Sequence, residues 1–169
     1  MADEIINRVA NSALITVDLE DWYPKGERVF FDIAPWLFGG LVLKENDFRE
    51  KVDTYQWTQH QGHYVALGCS ADAIIPSWAY LLVTIRLQPY AKKIIVGDLA
   101  LLENLIYQEI LLGIDISIYK DKPVIIKGCS NKPVPLSAYT MLLQFLQPHV
   151  RSIMFGEACS NVPLYKSKK

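Results

Sequence analysis

The stretch HYVALGCSADAIIPSWAYLLVTIRLQPYAKKIIVGD (63–98) decides the fold. It opens on HYVALG (63–68), an apolar run too short for a helix and bounded by glycine, which reads as a strand. IPSWAYLLVTIRLQPYA (75–91) follows with helical periodicity, and Pro76 suits a first helical turn. KKIIVG (92–97) is the next strand. Continuous apolar strands separated by amphipathic helices predict a parallel sheet covered on both faces.

The same grammar continues downstream. DLALLENLIYQEILL (98–112) is a helix with Asp98 as its N-cap, KPVIIKG (122–128) a third strand, PLSAYTMLLQFLQ (135–147) a helix begun near Pro135, and VRSIMFG (150–156) a fourth strand. Upstream lies a mixed lead-in. ADEIINRVAN (2–11) predicts a short helix with Ile5, Ile6 and Val9 on one face. LITVDLEDWY (14–23) and RVFFDIAPWL (28–37) alternate around Pro24-Lys25-Gly26 and read as a β-hairpin. LVLKENDFREKVDTY (41–55) gives a brief strand and then a helix capped by Asn46 or Asp47. The expectation is one domain over 1–169: a lead-in over 1–60, repeated βα units over 63–156, and a proline-containing tail over 157–169.

Bulk composition narrows the function classes. The chain has 169 residues, 51% of them apolar and 21% charged, with a formal net charge of −1, an ordinary globular balance. No long basic block marks a nucleic-acid binder, and no apolar run is long enough for a membrane span. The acidic start MADEIINRVANS lacks the basic region and apolar core of a signal peptide. Three cysteines, an odd number, predict reduced thiols in the cytoplasm rather than a disulfide framework.

Those cysteines, Cys69, Cys129 and Cys159, are each followed by serine. They are spaced by 60 and 30 residues, and position 99, beside Gly97-Asp98, completes the series. The spacing matches one βα unit, so it does not require gene duplication. It places each thiol just past the carboxyl end of a parallel strand, where sites form in open α/β sheets. With the four strands from 63 onward in the order 2-1-3-4, the three cysteine-bearing strands are neighbours and their thiols converge.

Converging thiolates suit zinc or an iron–sulfur cluster. The expected ligands are Cys69, Cys129 and Cys159, with Glu157 as the fourth and His63, His60, Asp72 and Asp98 behind it. Ser70, Ser130 and Ser160 would cap the following turns or donate hydrogen bonds to sulfur, supporting the bound group. A plainer reading stands beside this one, because free cysteine packs well as a small buried hydrophobe. Two further readings use other features. Cys129, flanked by Lys127 and Lys132, could act as a nucleophile on a small anionic substrate. Alternatively, the cysteines are structural and the aromatic lead-in contacts a partner protein, and a homo-oligomer is compatible with either. No Cys-x-x-Cys pair, phosphatase loop or glycine-rich nucleotide loop occurs. His60 and His63 read as surface loop residues. Asp18, Glu20 and Asp21 read as a solvated edge, and the four tryptophans as packing residues.

GCSADAIIPSWAY, KPVIIKGCSNKPVPLSAY, RSIMFGEACSNVPLYK and FDIAPWLFGGLVLKENDFR resemble a bacterial family catalogued as domain of unknown function 2480. The resemblance spans nearly the whole chain. It implies a role beside iron–sulfur assembly proteins, in cluster assembly or trafficking.

Overall fold

The computed structural model describes residues 13–128 and 131–168. The helix expected over 2–11, and the residues Cys129 and Ser130, lie outside them. The described residues form a mixed α/β protein with four α-helices, a mainly parallel four-stranded sheet and a second, three-stranded parallel sheet. In chain order the elements are β1 (Ile15–Val17), β2 (Arg28–Asp32), α1 (Glu45–Thr54), β3 (Tyr64–Gly68), α2 (Ser77–Leu87), β4 (Lys93–Val96), α3 (Leu99–Leu112), β5 (Pro123–Ile126), α4 (Leu136–Leu146), β6 (Ser152–Glu157) and β7 (Ser160–Lys166).

The class expected from the sequence is therefore present, but the pairing differs from the order 2-1-3-4. The four strands from residue 63 onward are divided between two sheets, β2-β3-β4 and β1-β5-β6-β7. The lead-in strands cause the division. β1 and β2 do not form a hairpin; β1 pairs parallel with β5, and β2 pairs parallel with β3. Each fills the side of a central strand that the expected order gave to another βα strand. The tail also differs, since β7 pairs antiparallel with β6 across a two-residue turn. The segment expected only as a proline-containing tail holds Pro163 within β7, where proline is tolerated because β7 is an edge strand. The helix expected over 41–55 starts at Glu45, so Asn46 and Asp47 sit in its first turn instead of capping it.

The chain divides into two compact units, one formed by residues up to Tyr23 and from Ile106 onward, the other by Pro24–Leu105. They are built alike. The partners Tyr64 and Lys93 in the second unit correspond to the partners Pro123 and Ser152 in the first, each 59 residues further on. Helices α2 and α4 have the same offset at both ends, and so do the 3-10 turns Trp57–His60 and Ile116–Tyr119. The partners Val29 and Val65 correspond likewise to Ile15 and Val124, with the early strand offset by 14 residues instead. Each unit is thus an early strand, a helix, a central strand, a second helix and a third strand.

Repeated residues explain the repeated geometry. Pro76 and Pro135 precede α2 and α4, and Leu-Gln-Pro closes both, at 87–89 and 146–148. Proline tends to end a helix before itself because it lacks a donor and restricts the preceding residue. Gly97 directly follows β4 and Gly156 is the last but one residue of β6, at φ of +148° and +124°, where a side chain would be strained. The inner stripe of α2 is Ala79, Val83 and Leu87, and that of α4 is Ala138, Leu142 and Leu146, all fully buried at four-residue spacing. The first set packs with Phe31, Ile33, Val65 and Leu67 of its own unit, the second with Val17, Leu19, Val124 and Ile126.

Truncating equivalent core positions should therefore have equivalent effects. Leu87→Ala and Leu146→Ala are each expected to destabilise by about 2–5 kcal/mol in urea unfolding monitored by circular dichroism.

Candidate functional site

The carboxyl ends of the parallel strands carry a polar cluster in the second unit. Asp32, the last residue of β2, stands opposite Gly68 of β3. Its Oδ1 accepts from the amides of Ala34 at 2.9 Å and Ser70 at 3.0 Å, and its Oδ2 accepts from the Ser70 hydroxyl at 2.5 Å. Burial pushes the Asp32 carboxyl up, but the Ser70 hydroxyl and the Ala34 and Ser70 amides outweigh it and hold the group below its ordinary value. Asp32 is therefore a fixed anion and a poor proton acceptor. Cys69 is half-buried against the unit's core, with Sγ 3.6 Å from the Ala71 carbonyl. Tyr80, in the first turn of α2, has its phenol pushed up by burial and then by Cys69 and Asp32, so it remains a donor at neutral pH.

Beside this cluster runs an apolar groove. Its walls are Leu41, Val42 and Leu43 on one loop and Ala73, Ile74 and Pro76 on the other, with Asp72 at the rim. The first loop follows β2 and its 3-10 turn, closed by amide bonds between Phe38 and Val42 and turning through Gly39 and Gly40 at positive φ. The second continues from Cys69-Ser70. Ile74 is 95% exposed and Leu41 66%, the reverse of ordinary packing for such side chains.

The equivalent edge of the first unit has different chemistry. Asp18 takes the place of Asp32 after β1, accepting from the Glu20 amide at 3.0 Å and from Lys127 Nζ at 2.9 Å. Lys132 donates its amide to Glu20 Oε1 at 2.7 Å and its ammonium to the Glu20 carbonyl at 3.3 Å. Asp18 holds the Lys127 ammonium above its ordinary value, by hydrogen bond and by charge, with Glu157 and Asp21 adding to it. The positive charge expected to activate Cys129 toward an anion is thus committed to a carboxylate, within a field supplied by further acids.

The metal and cluster reading is overturned. Among the described residues no group of three or more His, Cys, Asp or Glu side chains could hold a metal ion. Cys69 follows β3 in one sheet, whereas Cys159 is exposed in the β6–β7 turn beside the other. The 30-residue series is also out of register with the fold. At the 59-residue offset Cys69 corresponds to Gly128 and Ser70 to Cys129, while Cys159 corresponds to Ala100 in α3. Glu157, the expected fourth ligand, ends β6 opposite Ser160 of β7. Ser70 binds Asp32, and Asp98 caps α3 through the Leu101 amide at 2.7 Å, as expected. His60 is buried rather than on a surface loop, its Nε2 2.9 Å from the Tyr55 hydroxyl.

Asp32, Tyr80 and the groove residues were missed by the sequence reading. The repeat carried a usable signal: Asp18 and Trp22 recur as Asp32 and Trp36, and Ala79-Tyr80 recur as Ala138-Tyr139. Fold and site together define an α/β protein of two units built alike, whose strand edges carry different chemistry. The chain belongs to the family described as Protein of unknown function (DUF2480), whose model matches residues 3–167. No curated protein and no solved structure matches it.

The bond to Ser70 sets an acid response. Because the folded Asp32 carboxyl titrates below its ordinary value of 3.8, its contribution to stability is present above about pH 4 and is lost as pH falls through the folded value. Ser70→Ala should raise the Asp32 titration midpoint seen by carboxyl carbon NMR and shift acid unfolding to higher pH. An unchanged midpoint would contradict the assigned bond.

Proposed function

We propose that this chain is a binding protein, and that the strand edge of its second unit takes an extended peptide segment carrying an apolar side chain next to a basic one. The observation that carries the reading is the exposure of Ile74, Leu41 and Val42 on two loops that also deliver Asp32, Ser70 and Asp72. The groove is open and shallow. A small molecule gains affinity by burying most of its surface in a concave site, which this groove cannot offer, whereas a peptide can lie along it. Apolar anchoring is supplied by the leucine, valine and isoleucine walls. The carboxylates of Asp32 and Asp72 favour a basic neighbour, and Ser70 and Tyr80 provide hydrogen-bonding groups. A cytoplasmic setting, where Cys69 and Cys159 stay reduced, accompanies this reading.

The test is a selection from a displayed peptide library, followed by amide chemical-shift mapping of the selected peptide on the labelled chain. Peptides with an apolar–basic pattern should perturb residues 41–43 and 70–76. Ile74→Asp should weaken them about tenfold or more, the scale of losing one buried aliphatic anchor. Peptides that perturb neither loop, or that bind Ile74→Asp unchanged, would refute the proposal.

A further inference from the structure

The two units share a backbone frame at the amino ends of their parallel strands, and the side chains on that frame differ. In the second unit the Gly62 amide donates to the Tyr90 carbonyl at 2.9 Å, and the Lys92 amide to the His63 carbonyl at 2.7 Å. At the equivalent positions of the first unit the Asp121 amide donates to the His149 carbonyl at 2.8 Å, and the Arg151 amide to the Lys122 carbonyl at 2.9 Å. Gly62, Tyr90 and Lys92 thus correspond to Asp121, His149 and Arg151. The first unit adds β7, after which the Ser167 amide donates to the Arg151 carbonyl at 2.8 Å. These segments enclose a cleft of about 190 Å³, lined by the exposed Asp121, His149 and Arg151 and by Val150 and Tyr165, which pack with the unit's core. It is smaller than the about 300–1,000 Å³ of sites for drug-sized molecules, so it suits a ligand of few atoms.

Asp121 is the residue that needs a reason. Its φ is +57°, and among the described residues no other non-glycine residue has a positive φ; Gly62 holds the same place at +74°. Aspartate is tolerated there better than most residues, yet it is strained where glycine is not. No bond within the protein offsets that strain. Among the described residues, no hydrogen bond or ion pair engages the side chain of Asp121, His149 or Arg151. Lys92, by contrast, has its ammonium on the Lys25 carbonyl. Opposite charges that line one small cleft without pairing define the ligand. A simple anion would meet the Asp121 carboxylate, and a simple cation the Arg151 guanidinium, like charge against like. A molecule that carries both charges satisfies both groups.

We propose that this cleft binds a small zwitterion, an α-amino acid with an aliphatic side chain. Arg151 takes the carboxylate, for which the forked N–H donors of a guanidinium are suited. Asp121 takes the ammonium group, and His149 adds a hydrogen-bonding ring nitrogen. Val150 and Tyr165 supply apolar contact for the aliphatic side chain. The site belongs to the first unit and to the amino ends of its strands, so it does not depend on the peptide groove of the second.

Amide chemical-shift titration of the full labelled chain tests this, with L-valine, N-acetyl-L-valine, which lacks the ammonium, and isobutylamine, which lacks the carboxylate. Valine should perturb the amides of Asp121, His149, Arg151 and Ser167 saturably, and each single-charge analogue should bind about tenfold more weakly or worse. Asp121→Asn removes the charge while keeping a residue that tolerates positive φ, and should weaken valine about tenfold or more. Asp121→Gly, the residue of the second unit, should do the same with an unchanged circular dichroism spectrum, which separates lost binding from lost folding. Failure of valine, leucine and alanine alike to perturb these amides at millimolar concentration overturns the proposal. So does N-acetyl-valine or isobutylamine binding as tightly as valine, which would mark a site for a single charge. Unchanged affinity in Asp121→Asn overturns it as well.

Discussion

The parallel pairing of an early strand with the central strand of its own unit is the constraint on which the rest depends. β1 must leave its neighbour in sequence and reach β5, more than a hundred residues later, while β2 joins β3. Only then do Val17 and Leu19 meet the stripe of α4, and Phe31 and Ile33 the stripe of α2. Such long-range pairing is entropically expensive to form and must be rewarded by burial on arrival. A polar bond fastens each strand where it ends: Asp18 binds Lys127 and Asp32 binds Ser70. The same two aspartates that secure the fold therefore also shape the exposed edge.

Two units of the same plan with different chemistry at that edge give one scaffold two surfaces. In the second unit the lysine is replaced by Gly68, the carboxylate is held by a hydroxyl, and a glycine-turned loop brings apolar side chains into solvent. In the first, Lys127 is drawn into its carboxylate and the edge is rich in acids. Neither surface has the concentration of positive charge that would favour an anion.

Much of the fold was legible because its local signals agree with each other. The strands and helices over 63–156 match the expected ones within a few residues, since apolar runs alternate with helical stripes and Pro76, Pro135, Pro89 and Pro148 punctuate them, whereas β7 was expected only as a tail. Pairing was not legible. β1 and β2 carry the same alternation whether they join each other or two separate sheets, and nothing local distinguishes the cases. The cysteines also misdirected the register: aligning one Gly-Cys-Ser on the other gives 60 residues, one more than the true repeat. That single residue moves Cys69 away from the position of Cys129, and with it the basis for a shared thiol site. The groove left only a faint trace, because exposed Leu41, Val42 and Ile74 look in sequence like core residues.

The central claim is that β1 belongs with β5 and β2 with β3, so that one unit is present twice. Nuclear Overhauser contacts between backbone protons of the labelled chain test it most directly. The account predicts parallel ladders joining Thr16 to Ile125 and Phe30 to Ala66. A hairpin ladder joining the segment around Thr16 to the segment around Phe30 would contradict it.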